Sequence, residues 1–318
     1  VEKDANGFYI YSPSASPEYG IVTLSDNSTF DLAIVKELLT NLIAACQKLE
    51  IEQENVLKWQ TMLKHVPPYQ LGPDGDLAEW ADSTFRHFYA HRHYSPFYPV
   101  FRSFEFSPET TPELWEAAKI TLEKKTRLWL RKPDTDWNGI PFGRVFHAQS
   151  AAYLGQGAMV EEVLNSMTDR LYPTLFMSLK PDLNWFNFDG SGAFPDIINR
   201  SLAFSLNGTL DLLRSIPPTW TKGSIQGMLA RGQITIDHLQ WDQNSGTIEL
   251  ELTSGIAQEI TLRLPGAKDI KALEVIRGKA EVKDSPSGSN ARQLILPAHK
   301  KVNLEIAYSE THHTNFWK

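Results

Sequence analysis

Leu213-Arg-Ser-Ile-Pro-Pro-Thr-Trp220-Thr-Lys-Gly223-Ser-Ile-Gln-Gly227-Met-Leu-Ala-Arg231-Gly232 is the stretch on which the hydrophobic period of the chain changes. Upstream of Ile216-Pro217-Pro218 the dominant period is helical. Leu32, Val35, Leu39, Leu42, Cys46 and Leu49 recur at three- and four-residue steps, which places them on one helix face. Ser28, three residues before Asp31, reads as the cap of that helix. Val56, Trp59, Leu63 and Val66 repeat the pattern until Pro67-Pro68 stops it. Thr111-Pro112-Glu113 opens a third helix, and further helices are expected over Val145–Leu154, Val160–Arg170 and Phe194–Leu213.

Downstream of the prolines the period is two. Gln233–His238, Thr247–Thr253, Glu259–Leu264, Leu273–Arg277, Gln293–Leu296 and Lys301–Tyr308 read as strands separated by Gly, Asn, Asp and Ser turns. The expected fold is mainly α with an antiparallel β-sandwich domain, divided at 1–216 and 217–318.

The 318 residues carry 31 Lys and Arg against 38 Asp and Glu, a net charge of −7. An acidic chain has no overall field that attracts a polyanion, so nucleic acid is excluded as the expected partner. No run reaches the roughly 18 apolar residues of a membrane helix, and no membrane partner is expected. The single cysteine, Cys46, sits among Ile43, Ala44, Ala45 and Leu49 and reads as a buried apolar residue. Neither a phosphate-cradling Gly loop nor a G-x-S-x-G nucleophile elbow occurs.

Long aromatic-rich loops at 8–20, 69–107 and 183–192 separate the helices, and the chemistry is sought there. Ser14-Ala15-Ser16-Pro17-Glu18-Tyr19-Gly20 holds one carboxylate between a proline and a glycine. Read alone it is an ordinary loop, and Glu18 acts as a general acid only if its pKa is raised. In His87-Phe-Tyr-Ala-His91-Arg92-His93-Tyr94-Ser95-Pro96, His87 and His91 stand four apart and on a helix would share a face, yet no HExxH pattern completes a metal site. A polar cluster in which Arg92 and His93 bind hydroxyl groups competes there with a purely structural one. Asn184-Trp185-Phe186-Asn187-Phe188-Asp189-Gly190-Ser191-Gly192 sets a carboxylate among aromatic rings that suit the C–H faces of sugars. Paired with Glu18 across a pocket, Asp189 would complete the two carboxylates that glycoside hydrolysis requires.

These three segments, in this order, resemble glycoside hydrolase family 95, the inverting α-L-fucosidases of α-1,2-linked fucose, some of which act on α-L-galactosides. Ser16-Pro17-Glu18-Tyr19 is similar to the family's Ser-Pro-Glu-Asn, with Tyr19 in place of Asn. His91-Arg92-His93-Tyr94-Ser95-Pro96-Phe97-Tyr98 is similar to its His-Arg-His-x-Ser-His-Leu-Tyr, with Pro96 in place of His. Asp189-Gly190-Ser191-Gly192-Ala193 is similar to its Asp-Gly-Asn-Phe-Gly, and the 213–232 junction resembles the entry to its C-terminal β-domain. The resemblance implies Glu18 as general acid, Asp189 as the base-side carboxylate, and His91, Arg92, His93, Trp185 and Asn187 as sugar contacts. It implies no metal and no organic cofactor. It also implies a terminal L-fucose or L-galactose on an oligosaccharide as substrate, and placement outside the cytoplasm. The family's catalytic fold is an (α/α)6 barrel. Residues 1–216 show about half of its twelve helices, so the C-terminal half of such a barrel is expected, with the upstream half supplied by further chain or by a partner. A catalytically inactive carbohydrate-binding homologue and a structural chain docking on another polypeptide are the competing readings.

Overall fold

A computed structural model describes residues 2–16, 25–85, 87–131, 141–168, 188–206, 208–266 and 268–310. The fold is mixed α/β, with seven α-helices and ten strands among the described residues. The strand share corrects the mainly α expectation. Two compact units form, one from residues 1–150 and 170–190, the other from 151–169 and 191–318.

In the first unit, α1 (Thr29–Leu49) begins where its sequence predicts. Ser28 is extended, and its hydroxyl accepts the backbone N–H of Asp31 at 3.2 Å, while Asp31 places a negative charge against the helix N-terminus. Leu32, Leu39, Ile43 and Cys46 turn inward, and Cys46 is buried as expected. Glu50 and Glu52 take left-handed conformations that reverse the chain into α2 (Gln53–Lys64), and Ile43, Cys46 and Val56 close a small core between the two helices. The 69–107 loop contains a 3-10 turn at Ser95–Phe97 and the short α3 (Tyr98–Phe101). Helix α4 (Pro112–Lys125) starts at its first-turn proline and runs on into a π-helical stretch, Thr126–Leu130. Helix α5 covers Pro141–Tyr153.

The second unit contains α6 (Gly157–Thr168), and α7 (Phe188–Leu202) leads into the first strand. The helix expected over Phe194–Leu213 stops at Leu202. Ala203–Leu206 (β1) and Thr209–Leu212 (β2) form an antiparallel hairpin, with Leu206 opposite Thr209. The reason lies in the loop sequence: Asn207-Gly208 is a two-residue hairpin turn, and Gly208 has φ +77°. Strand pairing therefore begins at Ala203, upstream of the prolines at which the period changes.

The remaining strands are β3 (Lys222–Ala230), β4 (Ile234–Asp242), β5 (Thr247–Ser254), β6 (Gln258–Arg263), β7 (Lys268–Arg277), β8 (Glu281–Asp284), β9 (Ala291–Leu296) and β10 (Lys300–Glu310). They form two five-stranded sheets, ordered β1-β2-β6-β9-β8 and β3-β4-β5-β10-β7, antiparallel except for the β2–β6 pair. The six strands expected from the sequence are all present. Strand β5 shows why: Ile248, Leu250 and Leu252 are buried while Glu249 between them is exposed. Leu210, Leu212, Ile260, Leu262 and Leu294 of one sheet share a single core with Ile236, Leu250, Leu304 and Ile306 of the other, a sandwich-like arrangement. Each such buried aliphatic side chain contributes roughly 1.5–3 kcal/mol.

One buried charge network pins this unit. Asp211 of β2, about 1% exposed, accepts from Arg214 and from Arg263 of β6, with Arg263 Nε at 2.6 Å. Arg214 also donates from Nε to the carbonyl of Tyr153 at 2.7 Å and lies over the Tyr153 ring.

Candidate active site

Within the first unit the 69–107 loop is held by polar contacts that converge on Glu79. Its backbone carbonyl accepts the N–H of Thr29 at the start of α1, at 3.0 Å. Its backbone N–H donates to the His87 ring, Nδ1 at 3.3 Å. Its buried carboxylate accepts a hydrogen bond from the Ser16 hydroxyl. Ser16, itself 3% exposed, is therefore fixed two residues before Glu18. The neighbouring Ser14 hydroxyl donates to Asp31 at 2.5 Å and accepts the Ser28 N–H at 2.8 Å, which ties the same strand of chain to the α1 cap.

Helix α4 supplies the opposite wall of these contacts. The Thr121 hydroxyl accepts the N–H of Leu77 at 2.8 Å. Lys124 reaches Asp74 at 2.8 Å and the fully buried Asp76 at 2.9 Å, and the Tyr89 hydroxyl donates to Asp76. Burial alone would raise the Asp76 carboxyl, but the Tyr89 and Lys124 bonds outweigh it and hold Asp76 below the usual carboxylate range. The Tyr89 hydroxyl is pushed up to about 12, by burial and by its acidic partner, so it stays a donor. Between these anchors lies a pocket of about 490 Å3 lined by Gln70, Trp80, Asp82, Phe85, His87 and Tyr89, among others. Its size falls within the roughly 300–1,000 Å3 of small-molecule sites, and rings interleaved with hydrogen-bonding groups suit a polyhydroxylated ligand.

The His91–Tyr94 segment is fixed from beneath. Lys125, buried on α4, donates from Nζ to the His91 carbonyl at 2.8 Å and lies 4.4 Å from the centroid of the Tyr94 ring. The Tyr94 hydroxyl meets Nδ1 of His147 at 2.6 Å, and Nε2 of His147 meets the Thr126 hydroxyl at 3.1 Å. Because that hydroxyl already donates to the Leu122 carbonyl, His147 Nε2 must carry the proton, and Nδ1 accepts from Tyr94. Burial, reinforced by Lys125, Arg144 and Arg131, lowers the His147 pKa to about 3, so its imidazole is neutral at pH 7. Gly143 completes the seat: a Cβ there would stand 2.5 Å from the Arg92 carbonyl and 2.8 Å from the Trp129 ring. With the backbone thus held, the His91 ring stacks on His93 at 4.8 Å, and His93 meets Phe142 edge-on at 5.0 Å.

The structure brings His91, Arg92 and His93 together on one held segment, each half-buried. Asp189 lies in the first turn of α7 and is exposed. Glu18, Trp185 and Asn187 fall outside the described residues. His87 and His91 do not share a helix: both belong to irregular loop, with the His87 ring turned to the Glu79 N–H and the His91 ring to His93, so the helical spacing considered for a metal does not apply. Among the described residues no group of three or more His, Cys, Asp or Glu is arranged to hold a metal ion.

Glu79, Lys125 and His147 are absent from the sequence-based set. Lys125 does leave a trace, because it follows Ala118, Thr121 and Leu122 on the apolar face of α4, where a lysine needs a buried partner.

Comparison with known proteins gives two family matches. The profile of the glycosyl hydrolase family 95 catalytic domain matches residues 1–202, and that of the glycoside hydrolase family 95 C-terminal domain matches residues 204–303. A curated relative, Alpha-L-fucosidase 2 of Arabidopsis thaliana, is 26% identical over 294 residues, which is 87% of this chain and 33% of the relative. The chain thus spans about a third of that relative's length. A solved GH127 β-L-arabinofuranosidase from Geobacillus stearothermophilus T6 aligns over 88% of this chain and 41% of its own. Its identity is 12% and its TM-score 0.29, too low to support an argument about fold.

Proposed function

Since the chain belongs to glycoside hydrolase family 95, we propose that it serves the inverting hydrolysis of α-L-fucosides, with Glu18 as general acid and Asp189 on the base side. Glu18 protonates the departing glycosidic oxygen while Asp189 assists the water that attacks from the opposite face of the sugar. That geometry requires carboxyl groups about 6.5–9.5 Å apart. Arg92 and His93, with His91, Trp185 and Asn187, hold the sugar. An L-galactoside is the alternative substrate, because rejection of one added hydroxyl at C6 amounts to only about 100-fold in a pocket that is apolar at that point. The helices of residues 1–216 belong in this reading to part of an (α/α)6 barrel, and 217–318 to the β-domain.

The observation that carries the reading is the convergence at Glu79 and Lys125. Ser16, in the run that leads to Glu18, and His91, in the His-Arg-His segment, are both bonded into one buried cluster beside an aromatic pocket. Segments far apart in sequence, each matching a family motif, are held in the same part of the unit. The test is proton NMR of the chain with 2′-fucosyllactose. Early release of β-fucose, abolished by Glu18→Gln, is expected; release of α-fucose, or turnover indifferent to Glu18→Gln, would sink the proposal.

A second reading rests on the one-third coverage of the curated relative. In it the chain is an incomplete or catalytically inactive sugar binder that requires an upstream half. Binding of the trisaccharide without release, converted to release when the upstream segment of a homologue is added, is the outcome that would establish it.

A further inference from the structure

Glu79 and Lys125 are buried ionisable groups that the proposed reaction does not use. They come from a loop and from the last residue of α4, and each spends its hydrogen-bonding capacity on a different segment of the site. The Glu79 carboxylate takes the Ser16 hydroxyl, and the Lys125 ammonium takes the His91 carbonyl and covers the Tyr94 ring. The two groups also act on each other. Burial raises the Glu79 carboxyl and lowers the Lys125 ammonium to about 8, and each opposes the other's shift through its charge. A buried ion pair is a weak source of stability, because desolvation offsets most of the attraction, and its retention points to a geometric role. Apolar side chains of the same volume would pack as well but would leave the Ser16 hydroxyl and the His91 carbonyl unheld.

We propose that the Glu79–Lys125 pair is a positioning element that sets the separation between the Ser16 run and the His91–His93 segment. It acts through those segments and touches no substrate. The inference rests on the glycosidase reading above for its consequence, since the two segments it spaces are those assigned to the general acid and to sugar binding. The π-helical stretch that begins at Thr126 supports it, because such stretches concentrate where a helix must re-aim side chains.

The test uses the full chain with Glu79→Gln, Glu79→Asp, Lys125→Met and Ser16→Ala. Glu79→Asp keeps the charge opposite Lys125 but shortens the reach to Ser16, and Ser16→Ala removes only that link. If the pair positions the segments, both lower kcat on 2′-fucosyllactose by about 100-fold with KM within about twofold, the size of effect expected from misplacing a reacting group by an ångström. If the pair merely stabilises the fold, Glu79→Asp restores activity and Ser16→Ala leaves kcat unchanged, and the proposal falls. Should the unaltered chain release no fucose, the glycosidase reading is at fault, and the positioning claim is decided by 1H–15N correlation spectra instead. Lys125→Met then shifts the amide signals of both His91 and Ser16, as does Glu79→Gln. Shifts confined to the segment each residue contacts directly would overturn it.

Discussion

His147 makes the first unit acid-sensitive in a way that can be calculated. Its ring is fully buried, accepts from Tyr94, donates to Thr126, and has its pKa lowered from 6.5 to about 3 by burial and by the nearby cations Lys125, Arg144 and Arg131. The unfolded chain binds this proton near pH 6.5 and the folded chain does not, so the contribution of His147 to stability is intact above 6.5 and is lost as pH falls towards 3. The loss runs at about 1.4 kcal/mol per pH unit, which integrates to about 2 kcal/mol between pH 7 and pH 5. His147→Gln keeps an acceptor and a donor in the same place without a titrating group. Urea unfolding of both proteins at pH 7 and pH 5 should therefore show the wild-type chain losing about 2 kcal/mol more than the variant, with other groups cancelling in the difference. Equal losses would refute both the neutral, buried assignment of the ring and the hydrogen-bond directions derived from it.

Two further substitutions probe the site seat and the β-unit. Gly143→Ala places a methyl group 2.5 Å from the Arg92 carbonyl, so the His91–His93 segment must move. A loss of about 1–3 kcal/mol by thermal melting is expected, with weaker trisaccharide binding by calorimetry; unchanged binding would mean that the seat does not set the geometry of Arg92 and His93. Asp211→Asn leaves the Arg214 and Arg263 guanidiniums without their shared counter-charge. It should cost about 3–5 kcal/mol in urea titration, whereas a cost under about 1 kcal/mol would show that solvent already screens the network.

Local signals carried much of the fold. Ser28 and Asp31 marked the start of α1, and the alternation of Ile248, Leu250 and Leu252 marked β5, because each depends on neighbours within a few residues. The β1–β2 hairpin was hidden because Ile197, Ile198 and Leu202 pass the helical spacing on to Phe204 and Leu206, masking the Asn207-Gly208 turn. Exposed β8 was equally invisible, since it buries too little apolar surface to show a period. At the site, His91-Arg92-His93 announced itself by composition. Glu79 and Lys125 did not, because what distinguishes them is burial opposite an opposite charge, a property of packing between a loop and a helix far apart in sequence. Ser16 was legible only as a neighbour of Glu18, with its partner unknown.

The π-helical stretch at Thr126–Leu130 makes this helix unusually sensitive to its length. A π turn holds one more residue than the α turn it replaces, so deleting a single residue there would restore regular α-helix without breaking it. The deletion would shorten the rod by only about 1.5 Å but rotate everything beyond it by about 100°. Lys125 would then remain under His91 while Trp129, which packs against the Gly143 seat, swung to another side of the helix. A homologue that differs here by one residue would keep the same helix and lose the phase between its two ends. Insertions and deletions in this short stretch would therefore alter the site more than most substitutions elsewhere along α4.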